Sequence, residues 1–325
     1  MMSLEGKKCI VTGGAGFVGT HLTRALLRQG AVVTVVDDLS TGHLNTSAQP
    51  TGEQGNASFI QHDICQPIDL RGDILFNLAC PASPKHYQRD PLQTWKTSVL
   101  GAMHLGEMAV ENNLIFVQAS TSEVYGDPQV HPQSETYWGN VCTKGIRACY
   151  DEGKRAAETY LTDLSRMRGL DLRIARIFNT YGAGMAIDDG RAVSNFALQA
   201  LQGDPLTVFG DGSQTRSLCY VHDLVDGLIA MALNPSARGE IMNLGNPREH
   251  TVREIADLVL EVAGLDVALE FCPLPQHDPM RRCPDIAKAR RVLGWSPKIE
   301  IHEGLSLLIT DFKARLAAGE TLAPF

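Results

Sequence analysis

Gly13, Gly16 and Gly19 in TGGAGFVGTHL stand directly after the apolar run CIVT and open a helix-like pattern. Glycines at such a strand-to-helix turn allow a tight bend and let the helix N-terminus approach a pyrophosphate, with Phe17 and Val18 in the same turn. A helix start that merely tolerates glycine gives the same letters, so the next run decides between the two readings. That run, AVVTVVD, ends in Asp37, 18 residues beyond Gly19, where a carboxylate can bind the hydroxyls of an adenosine ribose. Neither Arg nor Lys lies between Arg28 and Arg71 to attract a 2'-phosphate, so Asp37 predicts NAD rather than NADP. Asp63 and Ile64, after a third β-rich run, are placed at the adenine edge, although a plain loop carboxylate suits Asp63 as well.

Tyr150 and Lys154 form a YxxxK at the start of a helical pattern. One turn separates the phenol from the ammonium, so the lysine can lower the tyrosine pKa and hold a ribose while the phenolate takes a proton. The same spacing occurs by chance on many surface helices. Ser120-Thr121-Ser122-Glu123, at the end of the fifth β-rich run, supplies the hydroxyls that turn the pair into a proton relay, because sheet C-terminal ends gather around a cofactor.

Five runs, KCIVT, AVVTVVD, ASFIQHD, DILFNLA and LIFVQAS, alternate with helical stretches over Phe17 to Arg28 and Pro91 to Asn112. That alternation predicts a doubly wound parallel α/β sheet of Rossmann type. A helix from Tyr150 to about Arg168 and the strand DLRIARIFN follow, then shorter mixed elements that predict a smaller α/β lobe. Residues 1–178 are assigned mainly to the cofactor domain and 179–325 mainly to the substrate lobe, with chain crossings between them. Asn45 to Ser58 has no apolar periodicity and predicts a mobile loop.

Composition narrows the function classes. The chain has 325 residues, 44% hydrophobic and 20% charged, enough to bury a full core and too apolar for wholesale disorder. A net charge of -8 argues against nucleic acid or an anionic membrane surface as partner, so a phosphate-bearing ligand needs local cations. Eight cysteines without a CxxC pair predict no metal site and reduced thiols, and with no export signal and no run near about 18 apolar residues the expected location is cytoplasmic.

Beyond the shared Gly, Thr, Tyr and Lys motifs, the segments LACPASPKHYQRDP (78–91), ASTSEVYGDPQVHPQSETYWGNV (119–141), ACYDEGKRAAET (148–159), RIFNTYG (176–182) and DGRAVSNFALQALQGDPLTVFGDGSQTR (189–216) resemble one family. It is the UDP-glucuronic acid decarboxylase, or UDP-xylose synthase, family of the extended short-chain dehydrogenase/reductases. The likeness runs from about residue 7 to about residue 310. It implies that NAD oxidises the sugar 4-hydroxyl of UDP-glucuronate, that the resulting β-keto acid loses carbon dioxide, and that the keto-pentose is reduced to UDP-xylose or released. Carried over by position, Tyr150 is the base, Lys154 its support and Thr121 a hydrogen-bond partner, while Glu123 and Arg282 surround the departing carboxylate. Ser122 and Tyr87 are candidates for the same pocket. Arg191, Arg216 and Asn179 are expected on the diphosphate, and the backbone of Leu206 to Gly210, around Val208, on uracil. Asn195 suits the nucleotide or helix capping equally, and Phe209 is expected in the core. Relatives of this kind usually dimerise, which makes a homodimer the expectation, through the helices Pro91–Asn112 and Tyr150–Arg168.

The chain departs from the family pattern at Ala183-Gly184, where Pro-Arg is usual, and at Cys142, Cys283 and Leu218-Cys219, all expected to line the pocket. Alternatives that remain open are a UDP-sugar 4-epimerase or 4,6-dehydratase, which use the same Tyr and Lys, and a non-catalytic NAD-binding sensor.

Overall fold

The computed structural model describes residues 3–42, 56–273 and 281–320. Residues 45–55 of the predicted loop lie outside them, while Ala57 and Ser58 already belong to a strand. In chain order the first half runs β1 (Lys8–Thr12), α1 (Phe17–Arg28), β2 (Val32–Asp37), β3 (Ala57–Gln61), β4 (Ile74–Asn77), α2 (Pro84–Arg89), α3 (Pro91–Lys96), a π-helical turn (Thr97–Gly101), α4 (Ala102–Glu111), β5 (Ile115–Thr121), a 3-10 turn (Ser122–Tyr125), α5 (Ala148–Arg168) and β6 (Asp171–Ile177). The second half continues with β7 (Thr180–Tyr181), α6 (Ala192–Gln202), β8 (Leu206–Phe209), β9 (Thr215–Ser217), β10 (Cys219–Tyr220), α7 (Val221–Leu233), β11 (Ile241–Leu244), β12 (Glu249–Thr251), α8 (Val252–Ala263), β13 (Leu269–Cys272), α9 (Ala287–Leu293) and α10 (Ile301–Ala317).

Seven strands form one parallel sheet in the order β3-β2-β1-β4-β5-β6-β11. The order reverses between β1 and β4, and the strand ends on either side of that point open the crevice where ligands bind in such sheets. The runs read as strands are apolar because both faces are covered. On one face Leu105 and Met108 of α4 and Leu161 and Leu164 of α5 pack on Ile10, Leu75, Phe116 and Ile174. On the other, Leu22 and Leu26 of α1 join Val11, Val33 and Phe76 in a cluster that continues into Phe196, Val225, Ile255 and Leu308 of the later helices. The last strand of the sheet, β11, comes from the second half of the chain. Smaller pairs, β8 with β13, β9 with β12 and β7 with β10, lie outside the main sheet.

The helix expected from Pro91 to Asn112 is broken by the π-helical turn at Thr97–Gly101. Thr97 Oγ1 donates to the Gln93 carbonyl at 2.9 Å, a side-chain bond that competes with the backbone ladder. A Cβ on Gly101 would stand 2.4 Å from Ile64 Cδ1, so the extra residue in this turn lets the chain pass close to the loop after β3. Helix α5 begins at Ala148, two residues before the predicted start. Among the described residues no helix is long and apolar enough to cross a membrane.

Candidate active site

The glycine turn comes first because the path of the backbone fixes it. Gly13 has φ +69°, and a Cβ there would meet the Ala79 nitrogen at 2.7 Å; a Cβ on Gly19 would meet the Gly13 carbonyl oxygen at 2.1 Å. Only glycine lets α1 start this close to β1 and β4. The Asp37 carboxylate, buried at the end of β2, accepts the Ala15 amide at 3.0 Å and the Leu39 amide at 2.9 Å. Burial raises its pKa, while those two amides lower it. Asp63 is turned by the Cys65 amide at 2.9 Å and by Gln93 Nε2 at 3.1 Å. Gly16, Phe17, Val18 and Ile64 complete this end of the cleft. A flat, amide-rich cradle that any Cβ would fill, with a carboxylate at the ribose position, fits an NAD dinucleotide.

The second group collects where β5 ends. The Thr121 hydroxyl accepts the Glu123 amide at 3.2 Å, which starts the 3-10 turn, and its proximity to the Tyr150 phenol favours the phenolate. Tyr150 stacks parallel on Tyr87 of α2, with ring centroids 5.2 Å apart and planes 4° apart. The Tyr87 hydroxyl is buried with no hydrogen-bond partner among the described residues, an uncommon state for such a group. Lys154 Nζ donates to the Ala119 carbonyl at 2.9 Å and stands 5.8 Å from the Tyr150 ring centroid. The expected lowering of the tyrosine does not prevail here. Burial raises Tyr150 above the ordinary tyrosine value, Cys80 adds to the rise, and Thr121 only partly opposes it. Ser120 is turned away from the relay to Glu158, at 2.5 Å, while Ser122 lines the cleft.

Glu123 lies between two guanidinium groups. Arg282 grips it as a fork, Nη1 to Oε1 at 2.5 Å and Nη2 to Oε2 at 3.0 Å, and Arg147 Nη2 adds a bond to Oε1 at 2.6 Å. Burial alone would raise the Glu123 carboxyl, but the charges of Arg282 and then Arg147 bring it down to about 2. Sequence reading missed Arg147, although it lies three residues before Tyr150, one helical turn away. It also missed Asp151, buried beside this cluster with Oδ1 unpartnered among the described residues.

Burial, and then the charge of Glu123, raises Asp151 to about 7. The folded protein therefore holds a proton there that the unfolded chain releases near pH 4, so this group makes stability fall as pH rises from about 4 to 7. Asp151→Asn is expected to raise stability by about 2–4 kcal/mol at pH 8 relative to the native protein and by little at pH 4. Thermal melts at the two pH values check this, and an equal gap at both would mean that Asp151 binds no such proton.

The other predicted residues lie around the same cleft, which encloses about 1210 Å³, more than a single small-ligand pocket of roughly 300–1,000 Å³. Asp189 holds Arg191 through Nε at 2.5 Å and Nη2 at 3.0 Å. Arg216 donates to the Thr215 carbonyl at 2.8 Å. Asn179 and Asn195 line the wall, and Asn195 Nδ2 donates to the Gly190 carbonyl at 3.3 Å rather than capping the helix. One expectation needs correction. Phe209, expected in the core, is 39% exposed and lines the cleft, while the side chain of its neighbour Val208 is fully buried, since neighbouring strand residues point to opposite faces.

Of the departures, Ala183, Gly184 and Leu218 line the cleft, but Cys142, Cys219 and Cys283 do not. Cys142 is exposed, and the other two are buried behind the wall. The loop that lacks Pro-Arg is held from neighbouring helices: His21 Nε2 bonds the Ala183 carbonyl at 2.8 Å, the Gly184 amide donates to Asp311 at 2.9 Å, and Arg315 donates to the Met185 carbonyl at 2.6 Å.

Residues 9–245 match the NAD dependent epimerase/dehydratase family. The chain is 49% identical to UDP-glucuronic acid decarboxylase 2 of Arabidopsis thaliana, over 96% of this chain and 69% of the relative. It is 47% identical to UDP-glucuronic acid decarboxylase 1 of Danio rerio, over 96% of this chain and 74% of the relative. The fold is similar to UDP-glucuronic acid 4-epimerase from Bacillus cereus, solved with UDP-glucuronic acid and NAD, with TM-score 0.83, 25% identity and coverage of 94% of this chain and 99% of that one. With the Rossmann sheet, the glycine cradle and the Thr121, Tyr150 and Lys154 group in one cleft, the chain belongs to the NAD dependent epimerase/dehydratase family and, within it, to the UDP-glucuronic acid decarboxylases.

Proposed function

We propose that this enzyme decarboxylates UDP-glucuronate through a 4-keto intermediate, yielding UDP-xylose, UDP-4-keto-pentose or both. The observation that carries the reading is the buried arginine fork of Arg282 on Glu123, backed by Arg147, beside the Tyr150 phenol. A planar fork suits a sugar carboxylate, and a pocket built only for 4-hydroxyl chemistry on a neutral sugar has no use for a buried guanidinium with a second, half-buried one beside it.

NAD, when bound, would supply the hydride acceptor for C4 of the sugar. Gly13, Gly16, Phe17, Val18 and Gly19 form the turn for its pyrophosphate, Asp37 the ribose contact, Asp63 and Ile64 the adenine edge, and Tyr150 and Lys154 hold its far ribose. Tyr150 takes the 4-hydroxyl proton, with Thr121 beside the phenol and Lys154 supplying the charge that favours phenolate once substrate fills the site. A ketone at C4 makes the C6 carboxylate a β-keto acid, and its C–C bond breaks with the electron pair passing into the C4 enolate. Arg282 exchanges Glu123 for the sugar carboxylate. Glu123, released from the fork, then relays a proton from solvent to C5. Tyr87 and Ser122 shape this end. Asn179, Arg191, Asn195 and Arg216, with the backbone at Val208, receive the UDP half, and the division at residue 178 separates the cofactor part from the substrate part. A homodimer through α3, α4 and α5 suits the exposed Leu92, Trp95 and Met167, and a cytoplasmic location suits eight unpaired thiols.

The test is incubation of the purified protein with UDP-glucuronate and NAD, following carbon dioxide and product mass. Carbon dioxide with a UDP-pentose or UDP-keto-pentose is the expected result. UDP-galacturonate without carbon dioxide would instead select the epimerase reading, and NAD bound without turnover the sensor reading.

A further inference from the structure

The loop before Gln133, the start of β12 and the segment after Arg282 meet at a point outside the catalytic cleft. His131 Nε2, Glu249 Oε2 and Cys283 Sγ all lie within 4.8 Å of one another, and none of the three residues lines the cleft. We propose that these residues form a binding site for a single zinc ion, with water as the fourth ligand.

Tetrahedral zinc with bonds of about 2.0–2.3 Å spaces its ligand atoms about 3.3–3.6 Å apart. The His131 Nε2 and Glu249 Oε2 atoms, now 2.8 Å apart, need to part only slightly to admit the ion. One imidazole, one carboxylate and one thiolate suit zinc, whereas magnesium and calcium prefer oxygen alone. The ligands are already placed by other bonds. The Gln133 amide donates to the Cys283 carbonyl at 2.9 Å, and Gln133 Oε1 accepts the Cys283 amide at 2.9 Å, which fastens the His131 loop to the Cys283 segment. The Thr215 hydroxyl donates to Glu249 Oε1 at 2.5 Å, leaving Oε2 for the ion, the kind of outer support that orients metal ligands. Cys283 Sγ faces the Pro247 carbonyl at 3.3 Å.

The Pro247 carbonyl can only accept, so the Cys283 thiol that faces it carries its hydrogen in the free protein. Zinc binding forms the S–Zn bond and releases the thiol proton to solvent, one proton for each ion bound. The sequence reading, which found no metal site because no CxxC is present, looked for ligands close in the chain; these come from three separate segments, His131 lying more than a hundred residues before both Glu249 and Cys283. Arg282 is the residue before Cys283, so a bound ion would tie the catalytic fork's segment to two other loops.

The experiment titrates zinc into the purified, metal-stripped protein by calorimetry in two buffers of different ionisation enthalpy, and repeats the titration with His131→Ala and Cys283→Ser. His131 is exposed, so its variant tests the site without disturbing the core. One equivalent bound with one proton released, and at least about tenfold weaker binding in each variant, is expected. Cobalt should give a thiolate charge-transfer band in the native protein that Cys283→Ser lacks. Native protein that takes up no zinc, or variants that bind it as tightly as the native protein, would overturn the proposal.

Discussion

Tyr150→Phe is expected to reduce turnover of UDP-glucuronate by at least about 10³-fold, within the range of general acid–base contributions, while leaving the fold and NAD retention intact. The phenyl ring keeps the parallel stack on Tyr87 at 5.2 Å, so packing at the site is preserved. What is lost is the hydroxyl beside Thr121 that burial holds protonated. Carbon dioxide release measures the loss, and NAD content with the thermal midpoint checks the fold. Turnover within tenfold of native would remove Tyr150 from the role of base. Lys154, by contrast, donates to the Ala119 carbonyl, so its removal disturbs both position and charge and gives a less specific reading.

Arg282→Ala should reduce carbon dioxide release by at least about 10²-fold and lower stability by about 2–4 kcal/mol, because Glu123 remains buried with Arg147 as its remaining guanidinium partner. Oxidation at C4, followed as NADH absorbance in a single turnover, should fall less than decarboxylation. Arg282→Lys keeps the charge and loses the fork. It should recover stability more than activity, a split that a merely structural salt bridge would not produce. The pH dependence has a definite sign. Glu123, brought down to about 2, contributes stability that is fully present above its unfolded value near 4.5 and is lost as pH falls through about 2. Stability changes between pH 5 and 7 therefore follow Asp151 rather than Glu123. An Arg282→Ala variant that releases carbon dioxide at the native rate would assign the carboxylate to another group, of which Arg147 is the nearest.

The site combines two demands with opposite electrostatics. An NAD cradle offers backbone amides and one carboxylate, Asp37, whereas the reacting end concentrates Arg147, Lys154 and Arg282 around Glu123 and Asp151. Both sit within a chain of net charge -8, so the cations attract an anionic sugar nucleotide to one cleft and not to the general surface. In the proposed exchange of Glu123 for the sugar carboxylate, the Arg282 guanidinium stays paired before and after binding, which avoids leaving a buried charge unpartnered.

The sequence alone was enough for the features that depend on local geometry. Short apolar runs located the five strands and a period of 3.6 located α1, because strands buried on both faces read as continuous apolar runs and a helix with one buried face repeats every 3.6 residues. The glycines at 13, 16 and 19 and the carboxylate at 37 were legible because each is required within one turn or one strand of the next. Resemblance supplied Glu123 and Arg282, which no local spacing connects. Tertiary structure decided the rest: that Arg147 joins their cluster, that Ser120 turns to Glu158 instead of the relay, that Val208 points inward and Phe209 outward, that burial outweighs Thr121 at Tyr150, and that the helix after Pro91 yields a π-helical turn to pass Ile64. The physical reason is common to all of these. Whether a side chain is paired, buried or turned to the cleft depends on groups brought from other segments, as Arg282 is brought to Glu123 across 159 residues, and neither charge type nor periodicity encodes that meeting.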